Sequence, residues 1–278
     1  MRWRSGETCM NKSVISIRDA VVSYREDVAL AHCSLEIGAG EFCGIIGPNG
    51  AGKTTVLSLV NGLGNLVHGE VSVLGLKPFH GDGHRLRKRI GYVAQRDRID
   101  PRLPISVEKT VATGAYGRLG WFRRVNRIER ERVQASLEEV GIAHLAQRPI
   151  GHLSGGEYQR AAIARVLVQD PEIFLFDEPT AAIDPRAQHE ILELIQAVHA
   201  TRQKTCLYVT HELASLPQAC QRLVLMKEGS IWREGPREAM LQAKLLEALY
   251  DGWTPAYALA LLHGPSLRPP APEEESVS

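Results

Sequence analysis

The 278-residue chain is short of several features that mark common protein classes. Its five cysteines, Cys9, Cys33, Cys43, Cys206 and Cys220, are odd in number and contain no C-x-x-C pair. That pattern argues against a disulfide framework or a zinc ribbon, and a reducing compartment is the simplest reading. No apolar run approaches the ~20 residues a bilayer span requires. The opening Met1-Arg2-Trp3-Arg4-Ser5-Gly6-Glu7 is polar, without the apolar segment of a secretory signal. Charge is balanced as well: 33 Lys and Arg face 32 Asp and Glu, a net charge of +1. With no global field to attract nucleic acid or an anionic membrane, no nucleic-acid partner is expected, and any charged partner must be met locally. There is no internal repeat. The length fits one large α/β domain, or such a domain with an inserted lobe.

What is present is organised around Gly47-Pro48-Asn49-Gly50-Ala51-Gly52-Lys53-Thr54, which reads as the P-loop pattern G-x-x-x-x-G-K-[ST]. A short apolar run, 41–46, suits a buried strand before it, and residues 55–60, from Thr55 on, continue as a helix after it. Glycines let backbone amides approach phosphate oxygens, and the helix N-terminus adds positive dipole. Lys53 can then reach the terminal phosphates, and Thr54 can offer its hydroxyl to Mg²⁺.

Along the chain, residues 14–24 and 30–37 alternate apolar and polar positions, predicting an antiparallel β layer ahead of the nucleotide core. Two further strands are expected at 69–75 and 89–94, the second ending on Gln95. His80-Gly81-Asp82-Gly83-His84 between them invites a metal assignment, but a glycine-rich loop gives no fixed ligand geometry and reads as a solvated turn. From Pro104 to about Val168 the pattern turns helical, with one helix expected over 106–115 and a capping box at Asn126 and Glu129. The intervening Arg118-Leu119-Gly120-Trp121-Phe122-Arg123-Arg124 is basic and aromatic. Composition alone leaves it open between a surface loop and a docking patch.

Two later stretches carry chemistry. Ser154 and Glu157 fit a second capping box, with Gly155 and Gly156 leaving the first-turn amides of a helix bare to receive anions. Residues 173–176 form an apolar run expected of a strand buried on both faces, and it ends in Asp177-Glu178. Alternation along a strand points these acids to opposite sides, one toward Mg²⁺ through water and one toward an attacking water. Asp184-Pro185 starts a helix, and 205–210 is another buried strand with His211 at its end, on the same sheet edge. A hairpin is expected around Lys227-Glu228-Gly229, and one helix over 237–249. The Pro-rich, acidic stretch from Pro265 reads as disordered.

Taken together, the stretches over about residues 14–235 resemble the ATP-binding cassette (ABC) ATPases. Residues 47–54 match Walker A, Gln95 the Q-loop, Leu153-Ser154-Gly155-Gly156-Glu157 the LSGGQ element, and 173–178 Walker B. Ala181-Ala182-Ile183-Asp184 matches the D-loop and His211 the switch histidine, while Tyr24 lies where that family stacks an aromatic on adenine. Glu157 stands where glutamine is usual. The resemblance implies an α/β fold: a RecA-like P-loop NTPase core with a mostly parallel sheet, an N-terminal antiparallel β layer and an inserted helical subdomain at about 98–168. The ATPase domain would span 1–235, a helical extension 236–263 and a tail 264–278.

The same resemblance implies the chemistry. ATP and Mg²⁺ would be bound, with the nucleotide held by Tyr24, by Gly47, Pro48, Asn49, Gly50, Ala51, Gly52, Lys53, Thr54 and Thr55, and across a head-to-tail homodimer by Ser154, Gly155, Gly156, Glu157 and Asp184. Mg²⁺ would fall to Thr54, Gln95 and, through water, Asp177, and hydrolysis to Glu178, His211, Lys53 and Gln95. The stretch from Gly91 to Arg124 is similar to cassettes of bacterial manganese, zinc and iron importers, where this region accepts a helix of the membrane subunit. Ala94, Pro101-Arg102-Leu103 and Thr180-Ala181-Ala182 depart from those importers. The implied partners are an integral membrane permease and an extracytoplasmic substrate-binding protein, with this chain peripheral on the cytoplasmic face of the inner membrane. A chelate or other small-molecule cargo stays open, as does a soluble, non-transport ATPase.

Overall fold

Alternation in the first strands builds a small sheet that buries one face, because successive side chains point to opposite sides. The computed structural model describes residues 13–25, 27–95, 104–119 and 126–252. In it, β1 (Ser13–Tyr24) pairs antiparallel with β2 (Asp27–Gly38), burying Ile15, Ile17, Leu35 and Ile37 between them and the core. β3 (Phe42–Ile46) leaves this layer for a second sheet and runs through residues 47–52 into α1 (Lys53–Val60). β4 (Leu66–Val73) returns to the first sheet, giving the order β2-β1-β4. The strand therefore starts earlier than the expected 69–75.

Residues 80–84 are solvent-exposed at His80, Gly81 and His84, as expected of a solvated turn, but carry regular structure. They lie in a 3₁₀ turn (Pro78–His80) and α2 (Gly83–Arg87), where Asp82 accepts from the Lys77 backbone N–H at 3.2 Å and buried Leu86 anchors the helix. β5 (Ile90–Val93) follows in the second sheet. The helical lobe comprises α3 (Val107–Ala112), α4 (Tyr116–Leu119), α5 (Arg127–Glu139) and α6 (Gly155–Gln169). The single helix expected over 106–115 is broken: α3 stops at Ala112 and a 3₁₀ turn covers Thr113–Ala115. Gly114 there lies against the Arg165 carbonyl of α6, so closely that no Cβ fits. The Asn126 box forms by half. Asn126 accepts from the Glu129 N–H at 2.9 Å, but the Glu129 carboxylate is drawn to Arg118 at 2.6 Å instead of turning back to its own cap.

β6 (Ile173–Asp177), α7 (Pro185–Arg202), β7 (Thr205–Thr210), β8 (Arg222–Lys227) and β9 (Ser230–Pro236) complete the second sheet, in the order β5-β6-β7-β3-β8-β9. All its neighbours pair parallel except β8 with β9, the expected hairpin. β3, β6 and β7 are buried along their whole length, as apolar runs without alternation require. The helix expected over 237–249 is split into α8 (Arg237–Met240) and α9 (Ala243–Leu249), because Gln242 is extended, and α9 then buries Leu246 and Leu249. Among the described residues no helix is long and apolar enough to cross a membrane. The Trp121-Phe122 loop and the expected disordered tail lie outside the described residues.

Candidate functional site

The loop between β3 and α1 owes its shape to two close approaches. A side chain at Gly47 would collide with the Met226 carbonyl, and one at Gly52, where φ is +90°, would sit 2.7 Å from the Ala29 carbonyl oxygen. Glycine alone satisfies both. Lys53, only 6% exposed, folds back over this loop and donates from Nζ to the carbonyls of Gly47 and Pro48, each at 2.9 Å. Burial holds its ammonium below the ordinary lysine range, against the pull of the Glu178 and Asp177 charges. Residues 49–55 line a cavity of about 520 Å³ with Ala29, Gln95, Glu178 and His211.

Opposite the loop, Asp177 ends β6 and is nearly inaccessible, with 3% of its surface exposed. Thr54 donates its hydroxyl to Oδ1 at 3.0 Å and Tyr92 donates its phenol to Oδ2 at 2.7 Å. Burial raises the Asp177 pKa, and these two hydrogen bonds oppose the shift. Glu178 takes φ +45° and donates its N–H to the Val209 carbonyl at 3.0 Å. It is therefore a left-handed turn beyond the strand, and not the pleat alternation inferred from sequence, that sends the second acid away from the first. A non-glycine residue held there by a neighbouring strand is the kind of local strain that marks functional positions. The Glu178 carboxylate is bracketed: Oε2 accepts from Gln95 Nε2 at 3.1 Å, and Oε1 lies 2.8 Å from His211 Nδ1.

The remaining sequence candidates stand apart from the cavity. Ser154 and Glu157 form the full capping box at the start of α6: the Glu157 N–H donates to Ser154 Oγ at 3.3 Å, and the Ser154 N–H donates to Glu157 Oε2 at 2.7 Å. That backbone donor holds the Glu157 carboxyl below its usual range. Gly155 and Gly156 open the helix, and Gly156 packs on Ala187 of α7. Asp184 caps α7, accepting from the Ala187 N–H at 3.0 Å. Tyr24 is 45% exposed at the end of β1. None of these lines the pocket that holds Lys53 and Glu178. Sequence reasoning missed Ala29, Tyr92 and Tyr250, whose hydroxyl donates to the His211 carbonyl at 3.0 Å. The signal for Tyr92 was present, since it sits near the C-terminal end of a parallel strand, where ligands of such sheets gather.

A glycine loop opening a helix, a buried lysine and two consecutive carboxylates at the end of one strand make up a nucleoside triphosphate site. Comparison with known proteins agrees. A family model described as ABC transporter matches residues 30–181. The zinc transport system ATP-binding protein TroB of Treponema pallidum is 35% identical over 238 residues, 86% of this chain and 87% of TroB. The manganese transport system ATP-binding protein MntB of Bacillus subtilis is 34% identical, covering 86% of this chain and 92% of MntB. Among solved structures, the dimeric post-hydrolysis cassette MJ0796 bound to ADP and Pi superposes with a TM-score of 0.70 at 29% identity, over 80% of this chain and 98% of that one. The chain therefore belongs to the ATP-binding cassette ATPases, as an ATP-binding subunit of the ABC transporter family.

Proposed function

We propose that this chain, as a head-to-tail pair, hydrolyses ATP to drive uptake of a transition-metal ion through a membrane permease. The observation that carries the hydrolytic part is Glu178 held between Gln95 at 3.1 Å and His211 at 2.8 Å, at the mouth of the P-loop cavity. In this reading the amides of residues 47–54 and the N-terminus of α1 receive the phosphates. Lys53 exchanges the Gly47 and Pro48 carbonyls for phosphate oxygens. Glu178 and His211 orient the water for in-line attack, and positioning together with charge stabilisation supplies the rate.

The donor set suits Mg²⁺. The Thr54 hydroxyl and the Asp177 carboxylate lie within 3.0 Å of each other, with Gln95 across the cavity, and hard oxygen ligands are what this ion takes. When bound, Mg²⁺ neutralises phosphate charge. Ser154, Gly155, Gly156, Glu157 and Asp184 complete the pocket of a second copy, which accounts for their distance from their own cavity. The exposed Tyr24 is left to stack on adenine.

The cargo rests on the similarity to TroB and MntB, named for zinc and manganese transport. Coupling runs through the segment that follows Gln95 to a permease, with an extracytoplasmic binding protein delivering cargo and this chain peripheral on the cytoplasmic face. The test is reconstitution of the full chain with any polytopic membrane protein and binding protein found encoded beside it. Zinc- or manganese-loaded binding protein is expected to stimulate ATP turnover. Stimulation by a chelate alone would move the cargo to that class, and turnover indifferent to every loaded binding protein would overturn the importer reading.

A further inference from the structure

A hydrogen bond ties the end of the described chain to the hydrolysis site. Tyr250 follows α9, and its hydroxyl donates to the backbone carbonyl of His211 across 3.0 Å. The ring of that same histidine reaches Glu178 at 2.8 Å. The helix behind the tyrosine is anchored on one face. Leu246 and Leu249 are fully buried in the core shared with Leu223 and Leu225 of β8. Lys227, at the end of β8, donates to the Ala248 carbonyl at 3.0 Å and pairs with Asp251. The Tyr250 hydroxyl is thus presented from a rigid support.

His211 itself lies outside any helix or strand. It lies one residue past β7, in a short turn that Thr210 closes by accepting from the Glu212 N–H at 3.0 Å. Rotation of the peptide at His211 would swing the ring away from Glu178, and groups that orient a reacting water must be held within about 0.5 Å of their productive position. An anchor on the His211 carbonyl limits that rotation.

We propose that Tyr250 is a positioning residue for His211, and that residues 243–252 form a clamp on the hydrolysis site. The proposal rests on the reading that His211 acts in hydrolysis, and the test separates the two. Tyr250→Phe keeps the ring and removes the hydroxyl. In the full-length chain assembled with its membrane partner, kcat is expected to fall roughly three- to tenfold, the worth of one neutral hydrogen bond. KM for ATP should stay unchanged, because the P-loop is untouched, and Tm should fall by no more than a few degrees, the share of one hydrogen bond. Adding Tyr250→Phe to His211→Ala should cost nothing further, since both act through one ring. A kcat of Tyr250→Phe equal to that of the unmodified chain, beside an impaired His211→Ala, overturns the clamp and leaves the histidine's role standing. A loss that multiplies with His211→Ala, or one that comes with a Tm drop of well over a few degrees, also overturns it. Full activity of His211→Ala overturns the reading beneath both.

Discussion

Tyr92 donates its phenol to Oδ2 of Asp177 across 2.7 Å, and so joins the end of β5 to the end of β6 under the nucleotide cavity. The bond matters because Asp177 is buried and its ionised form is disfavoured there. With Thr54 on Oδ1, both carboxylate oxygens have a donor, and the group is fixed in orientation before any ligand arrives.

Removing that phenol is expected to weaken cation binding more than nucleotide binding. Groups that orient a metal-binding carboxylate are worth on the order of tenfold or more in metal affinity. Tyr92→Phe should therefore raise the Mg²⁺ concentration for half-maximal ADP binding about tenfold by titration calorimetry, while affinity for ADP without the cation is retained. Equal loss in both arms would show that Tyr92 supports the loop and not Asp177.

Lys53 bridges the loop through the carbonyls of Gly47 and Pro48, and under the proposed mechanism it trades them for phosphate. Lys53→Ala should lower affinity for a fluorescent ATP analogue at least tenfold, the scale of a lost charge-assisted contact, without unfolding the protein. Retained affinity would place the phosphates elsewhere.

Glu157 titrates below its ordinary 4.5 because the Ser154 backbone N–H donates to it. A lowered folded pKa means that this cap stabilises the protein above about pH 4.5 and loses its contribution as pH falls through the lower folded value. Glutamine in its place keeps an acceptor and does not titrate. Glu157→Gln should fall below the unmodified chain in Tm at pH 7, and the gap should close steadily between about pH 5 and pH 3. Parallel Tm curves across that range would contradict the assignment of the cap.

Gly114 and Gly117 test the packing of the helical lobe. A Cβ at Gly114 would collide with the Arg165 carbonyl, whereas at Gly117 the nearest atom is Lys88 Cγ at 3.8 Å. Gly114→Ala should cost roughly 1–3 kcal/mol through overpacking. Gly117→Ala, inside α4, should be neutral or stabilise by up to about 1 kcal/mol through helix propensity. Denaturant midpoints of the two variants check the sign of each.

What the sequence revealed follows from the range of the interactions involved. The P-loop, the Ser154 and Glu157 box and the buried strands were legible because each depends on neighbours a few residues away or on an apolar run. The left-handed turn at Glu178 was not, since its N–H partner is Val209 on another strand. Tyr92 became a partner of Asp177 only when β5 and β6 paired in parallel, with Tyr92 beside Leu175. The breaks at Gly114 and Gln242 likewise answer to distant contacts, with α6 in the first case and the core under α9 in the second.

The central claim is that Glu178, bracketed by Gln95 and His211, orients the water that cleaves ATP. Glu178→Gln keeps a side chain of the same size and removes the charge. Single-turnover ATP hydrolysis by the full-length chain, followed together with sedimentation, tests it most directly. The account predicts hydrolysis slowed by at least a hundredfold, the usual scale of a lost catalytic base, with ATP retained in a stable dimer. Unchanged turnover, or a variant that stays monomeric with ATP bound, would contradict it.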